Sequence, residues 1–188
     1  MSVLPQIPHT YNLAIWDSRT NAVRHVEDLG GQEGLALSQD GSLLAWGAAG
    51  DENLHLLNIQ SDSRTDVSVD REQRMRSLDV RVLEFVLDDH GLLVNRGWKM
   101  YRMRRLEVYG VPDLNVRGSI NIEYERQLSD VHHECSPDGH ILAAWRGRSH
   151  ESLRTNTSRR FDTSIEIWDL ETTERLATLE GHSLPVNA

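Results

Sequence analysis

Short apolar runs separated by turn-forming residues follow one another along most of the chain. Three times, an apolar run is followed by a turn that contains Asp and Gly and then by a second apolar run, in residues 35–46, 83–94 and 135–145. Asp and Gly between two short apolar segments are typical of β-hairpins. The turn glycines Gly41, Gly91 and Gly139 are 50 and 48 residues apart, and this spacing indicates an internal repeat.

Two further strands are expected after each hairpin. The third strands are expected at 53–59, 105–111 and 164–170, and the fourth at 65–69, 116–122 and 175–179. An earlier pair of strands, with no hairpin before it, is expected at 12–17 and 22–26. Few segments have a helical period, although residues 71–80 fit a short helical turn as well as a loop. The pattern therefore predicts an all-β chain.

The last unit carries a more specific motif. Trp168-Asp169 ends its third strand, Gly181-His182 follows its fourth strand, and Asp162 precedes Trp168 by six positions. This arrangement resembles the WD-repeat family, whose repeats form the four-stranded blades of β-propellers. Trp16-Asp17 repeats the dipeptide near the N-terminus. The two middle units depart from the motif, since they have Leu57-Asn58 and Tyr109-Gly110 in its place.

The resemblance implies a structural role for these residues. In the family, the tryptophan, the preceding aspartate, a hydroxyl side chain and the Gly-His histidine of a blade form a buried hydrogen-bonded set. By position, Asp162 and Trp168 belong to such a set, whereas Ala144 stands at the hydroxyl position and leaves it incomplete. Plain packing in the core is the alternative for each tryptophan, and we favour it because aromatic side chains dominate core burial.

The strand count predicts antiparallel four-stranded blades, about three and a half of them, in a single domain of residues 1–188. The blade units are expected at approximately 11–31, 32–73, 74–125 and 126–182, with 183–188 as the start of a further blade. Closed propellers have roughly 4–8 blades. We therefore expect an incomplete ring, which further blades or a second chain would complete.

The composition limits which cellular compartment and which class of binding partner are expected. A formal net charge of -9 argues against nucleic acid as a partner, because the phosphate backbone would repel the chain. Cys135 is the sole cysteine, so an internal disulfide is excluded and a reducing compartment is favoured. The N-terminus lacks the features of a signal peptide, and no apolar run approaches the roughly 20 residues of a membrane helix. We expect a cytoplasmic protein that does not bind membranes.

The candidates for chemistry are weak. His132, His133, Glu134, Cys135 and His140 are of metal-ligand type, but adjacent histidines on a strand point to opposite faces. No phosphate-binding loop, nucleophile elbow or dinucleotide fingerprint occurs in the sequence. Asp88-Asp89 is better explained as a turn. We expect no metal, no cofactor and no catalysis.

A protein–protein interaction scaffold is the function that the resemblance implies, and the acidic balance favours a basic partner surface. An Arg-rich polar insertion between the second and third strands of the last unit is the candidate binding loop, although a disordered spacer fits it equally well. Its arginines are Arg146, Arg148, Arg154, Arg159 and Arg160. Two alternatives stay open, an enzyme or ligand-binding propeller with its site in the central channel, and a truncated repeat segment without activity of its own.

Overall fold

The computed structural model describes residues 13–26, 32–48, 53–68, 79–97, 103–123, 129–148 and 164–181. All regular elements within these ranges are β-strands. They are β1 (Leu13–Asp17), β2 (Ala22–Val26), β3 (Gln32–Leu37), β4 (Leu43–Ala48), β5 (Asn53–Asn58), β6 (Ser63–Ser68), β7 (Asp79–Val86), β8 (Gly91–Gly97), β9 (Met103–Gly110), β10 (Val116–Glu123), β11 (Ser129–Cys135), β12 (Ile141–Arg148), β13 (Ile165–Asp169) and β14 (Arg175–Leu179).

The strands form one two-stranded and three four-stranded sheets. Strands β1 and β2 pair as a hairpin, and β3–β6, β7–β10 and β11–β14 each form a meander in chain order. Every pairing is antiparallel. The predicted all-β class with four-stranded antiparallel sheets is confirmed, and the predicted third and fourth strands agree with the structure to within two residues at each end. Residues 79–80 already belong to β7, and 71–78 lie outside the described residues.

Two of the three predicted hairpins have the same turn, Ser-x-Asp-Gly. In the first, Ser38 Oγ donates to Asp40 Oδ1 over 2.7 Å and accepts from the Leu43 amide over 2.9 Å. Ser136 Oγ and Asp138 Oδ1, 2.5 Å apart, repeat the first bond in the third four-stranded sheet, where the Ile141 amide again donates to the serine. Both turn glycines have a positive φ near 70°. The turns are therefore the same local structure built twice.

The middle hairpin differs from the prediction. Gly91 is the first residue of β8, and the turn consists of residues 87–90. Leu87, Asp88 and Asp89 take up the positive φ angles, between 51° and 65°. Asp tolerates this conformation better than most residues, because its short polar side chain can bond locally, but Leu does not. The Leu87 amide donates to the Gly139 carbonyl in the next sheet over 3.1 Å, so tertiary contact holds a backbone that local sequence disfavours.

The sheets are stacked face to face in chain order. Leu13, Ile15 and Val26 of the β1–β2 hairpin pack on Leu44, Trp46 and Leu57 of the next sheet. A second apolar cluster joins sheet β3–β6 to sheet β7–β10, and a third joins sheet β7–β10 to sheet β11–β14. Each four-stranded sheet therefore buries apolar side chains on both of its faces, except where the stack ends. The ring is not closed in the described part of the chain, because the hairpin and the last sheet are at opposite ends of the stack.

Candidate functional site

The aspartate of each Trp-Asp dipeptide anchors the turn that follows it. Asp17 Oδ1 accepts from the Arg19 amide over 2.9 Å, and Asp169 Oδ1 accepts from the Thr172 amide over 2.8 Å. Asn58, which replaces aspartate in the first four-stranded sheet, accepts from the Gln60 and Ser61 amides in the same way. The dipeptide's second residue therefore stabilises the hairpin between the third and fourth strands, a local role that an amide can also fill.

The tryptophans divide between core and surface. Trp168 packs against the apolar cluster between the last two sheets, and its Nε1 has no hydrogen-bond partner among the described residues. The packing agrees with a role in the core. The hydrogen-bonded set stays a prediction, because its Asp162 and His182 lie outside the described residues. Trp16 is 62% exposed, and its Nε1 donates to Asn21 over 3.1 Å. Gly181 follows β14 with a φ of 107°.

The lowered pKa values of the turn aspartates predict how the stability of the protein depends on pH. Hydrogen bonds from Ser136 and the His140 amide lower the pKa of Asp138, and bonds from Ser42 and Ser38 lower that of Asp40. A carboxyl group whose pKa is lower in the folded than in the unfolded protein stabilises the fold when the pH is above the unfolded pKa of 3.8. This stabilisation is lost as the pH falls below that value and through the folded pKa. We expect Asp138→Asn to be less stable than wild type at pH 7 and equally stable near pH ~2. Urea midpoints at several pH values measure the difference, and Asp40→Asn should repeat it. A difference that persists in acid would contradict the prediction.

The Arg-rich segment begins as a strand. Arg146 and Arg148 belong to β12 and pair with Val131 and Ser129, so placing them in a loop was wrong. The strand extends because β11 offers it a partner along its whole length. Their side chains, and residues 149–163 with Arg154, Arg159 and Arg160, lie outside the described residues. A binding role for these five arginines stays a prediction.

The histidines around Cys135 are not brought together. His132 is opposite Trp145 on β12 and stacks on it with ring centroids 5.9 Å apart, while His133 is opposite Ala144 on the other face. Within the described ranges, no three His, Cys, Asp or Glu side chains are grouped so that they could hold a metal ion. Burial, followed by the hydrogen bond with Glu84, raises the pKa of the Cys135 thiol. A protonated thiol is a weak nucleophile.

An acidic cleft lies on the described surface. It has a volume of about 440 Å³ and lies where β3, β7 and β11 end and their hairpin turns meet. Leu37, Leu83 and Phe85 supply apolar lining. Four of the lining residues carry carboxyl groups and none is basic, and the four are Glu84, Asp88, Asp89 and Asp138. We call this feature the acidic cleft; it combines a few apolar side chains with negative charge.

Contacts between the hairpin turns fix the shape of the acidic cleft. Asp89 Oδ2 accepts from the Gln39 amide of the neighbouring sheet over 2.8 Å. The bond from the Leu87 amide to the Gly139 carbonyl joins the same middle turn to the turn between β11 and β12. Asp88 stays 72% exposed, with its Oδ2 3.5 Å from His140 Nε2. The sequence indicated that Asp88-Asp89 forms a turn, which is confirmed, but it did not indicate that three turns would enclose a cleft.

The sequence analysis also did not identify a buried ion-pair cluster. Glu107 on β9 is 1% exposed and accepts from Arg96 Nη1 over 3.0 Å and from the Tyr109 hydroxyl over 2.7 Å. Arg105 Nε lies 2.9 Å from Glu107 Oε1. Burial, followed by the bond to Glu107, raises the pKa of Tyr109. The available signal was a single Glu between Leu106 and Val108, a charge inside an apolar strand.

The comparisons with known proteins identify the fold and nothing beyond it. No family model matches the sequence, and no curated protein is detectably similar to it. The WD40 domain of Toxoplasma gondii coronin is similar in structure, with a TM-score of 0.61 and 14% identity over 93% of this chain and 41% of that one. The β-propeller domain of the Trilobed protease from Pyrococcus furiosus, described as having an open velcro topology, has a TM-score of 0.59 and 15% identity over 89% of this chain and 48% of that one.

A third solved structure, of U3-55K, has a TM-score of 0.50 and 13% identity over 92% of this chain and 46% of that one. This chain therefore spans less than half the length of each of these three structures. No part of the described chain forms a helix long and apolar enough to cross a bilayer. At these identities the similarity shows architecture alone, and the architecture is that of a β-propeller whose ring is incomplete.

Proposed function

We propose that this chain is a WD-type interaction scaffold, without catalysis of its own, that binds a basic segment of a partner protein in the acidic cleft. The observation that carries the proposal is the composition of the cleft lining, which has four carboxyl-bearing residues and no basic one beside a few apolar side chains. Arginine and lysine suit such a site, because their aliphatic stems pack on apolar surface while their charged ends reach carboxylates. We place the protein in the cytoplasm.

The rigidity of the cleft supports binding over chemistry. Main-chain bonds between turns hold its walls, as the pair Leu87 and Gly139 shows. A preformed site loses little conformational entropy when a partner binds. The same cleft is lined by the half-buried Cys135, whose thiol has a raised pKa and is therefore a weak nucleophile, whereas its four carboxyl-bearing residues suit recognition of positive charge.

Binding of a labelled Arg-Gly repeat peptide, measured by fluorescence anisotropy, tests the proposal. Asp88→Asn removes one exposed carboxylate and keeps a residue that tolerates the positive φ of this position. We expect Kd to rise up to about fivefold, which corresponds to about 1 kcal/mol for one exposed charge pair. Added salt should weaken binding to the wild type because it screens the attraction.

Glu180→Gln is the matched control, since it removes one exposed carboxylate beyond the end of β14 and away from the cleft lining. It should leave Kd unchanged. A Glu-Gly repeat peptide should not bind. If Asp88→Asn and Glu180→Gln weaken binding equally, the peptide responds to net charge and the cleft is not its site.

A further inference from the structure

A histidine lies at the edge of the acidic cleft. His140 follows the turn glycine Gly139 in the hairpin between β11 and β12, and its Nε2 is 3.5 Å from Asp88 Oδ2 of the middle turn. The Leu87 amide donates to the Gly139 carbonyl, so a main-chain bond holds the two turns together next to this pair. The contact therefore joins a residue of the cleft lining to a titratable side chain beside it.

Main-chain bonds also hold His140 in place. Its amide donates to Asp138 Oδ1 over 3.2 Å, and its carbonyl accepts from the Leu170 amide over 2.9 Å. The side chain of His140 stays 41% exposed and that of Asp88 72% exposed. The imidazole is therefore kept beside the cleft, while both side chains remain accessible to protons and to a ligand.

Carboxylates surround His140 on the elements that contact it. Asp88 lies on the middle turn, Asp138 on the same turn as His140, and Asp169 at the end of β13, next to the bonded Leu170. Hydrogen bonds, followed by attraction to His140, lower the pKa of both Asp138 and Asp169. These two carboxyl groups therefore stay ionised near neutral pH and place negative charge around the imidazole.

A proton on His140 changes the charge at the edge of the cleft. A histidine side chain gains a positive charge in mildly acidic solution, whereas arginine and ordinary carboxylates keep their charges between pH ~6 and ~8. The middle turn carries two further titratable side chains, Asp89, which accepts from the Gln39 amide, and His90, which is exposed. None of the residues that line the cleft in the described part of the chain is basic. Protonated His140 therefore brings positive charge to a site that otherwise offers negative charge.

We propose that His140 is a proton-operated gate of the acidic cleft. Neutral His140 leaves Asp88 available to an arginine or lysine of the partner. Protonated His140 forms an ion pair with Asp88 and repels the same cation, so protons and a basic partner compete for the cleft. Because binding is reciprocal, a partner that binds more weakly when His140 is protonated also releases protons when it binds. This inference rests on the proposed function of the cleft.

Fluorescence anisotropy with the Arg-Gly repeat peptide at pH ~6 and pH ~8 tests the gate. The peptide is acetylated and its label does not respond to pH, so that its own charge stays constant. For the wild type we expect Kd to be up to about fivefold higher at the lower pH, the effect of one exposed charge pair. His140→Gln should bind equally tightly at both pH values, because it carries no titratable side chain at this position.

His25→Gln is the matched control, since His25 is an exposed histidine on β2 in the first sheet, away from the cleft lining. It should keep the pH dependence of the wild type. Binding at pH ~8 that does not weaken at pH ~6, or that weakens equally in His140→Gln, would overturn the gate alone. No binding at either pH would refute the proposed function and the gate with it.

The ion pair can be measured without any ligand. The ring-proton resonances of His140, assigned by their loss in His140→Gln, give the midpoint of its titration by NMR. Asp88→Asn should lower that midpoint by up to about 0.7 on the pH scale, because a carboxylate that favours the protonated ring is lost. Glu180→Gln, which removes an exposed carboxylate away from the cleft lining, should leave it unchanged. An equal midpoint in the wild type and Asp88→Asn would overturn the gate.

Discussion

Replacing Glu107 by alanine is expected to lower the free energy of unfolding by about 3–5 kcal/mol, the usual cost of breaking a buried ion pair. Glu107 is 1% exposed and is the shared acceptor for Arg96, Arg105 and the Tyr109 hydroxyl. Without it, the partly buried Arg96 and the buried phenol lose their common acceptor. The low local dielectric makes such a loss expensive. Urea unfolding followed by tryptophan fluorescence measures the change.

Tyr109→Phe separates the carboxylate's contribution from that of a single hydrogen bond. The variant keeps the ring in the apolar cluster and removes the hydroxyl that donates to Glu107. We expect a loss of about 1–2 kcal/mol, because both arginines still face the carboxylate. Losses of equal size in the two variants would mean that the arginines contribute nothing to the stability of this cluster.

Gly139→Ala is expected to be the second most damaging substitution. Its φ of +70° disfavours any residue with a Cβ, which costs about 1–2 kcal/mol. The added methyl group would also lie 2.7 Å from the Leu87 amide nitrogen and 2.8 Å from the Val86 Cα. These are backbone atoms of the neighbouring sheet and cannot rotate away, so overpacking adds a further ~1–3 kcal/mol. Urea unfolding should show the sum.

Gly41→Ala is the matched control in the twin Ser-x-Asp-Gly turn. Gly41 has nearly the same φ, +72°, but nothing lies within 4 Å of the added Cβ. It should lose the conformational part alone, about 1–2 kcal/mol. If the two substitutions cost the same, the backbone of the neighbouring sheet moves to accommodate the methyl group, and the acidic cleft is less rigid than we propose.

The strands could be read from the chain because their signals are local. Alternating apolar residues predicted β13 and β14, and the Ser-x-Asp-Gly sequences predicted two hairpin turns, since both depend on neighbours in sequence. The turn of the middle hairpin was placed too late, at Gly91, because Leu87 adopts a backbone conformation that its own sequence disfavours and that the bond to Gly139 helps to hold. That bond crosses between sheets, where sequence patterns carry no information.

The same division between local and tertiary information applies to the candidate functional residues. The sequence drew attention to Trp16 and Trp168 as copies of one motif, but the motif alone did not distinguish them. In the structure one is 62% exposed at the end of the stack and the other packs between two sheets. Exposure depends on which sheet lies alongside, and a residue's own neighbours in sequence do not specify that.

The sequence by itself determined the all-β class, the order of the strands and the repeat, because hydrophobic period and turn chemistry act over a few residues. The tertiary structure alone decided three things. It brought Glu84 of β7 and the carboxylates of two hairpin turns to one cleft, buried Glu107 beside Arg96 and Arg105, and left Trp16 and Leu179 exposed in the first and last sheets. Each depends on residues of different strands or sheets meeting in space, and only the folded chain fixes those distances.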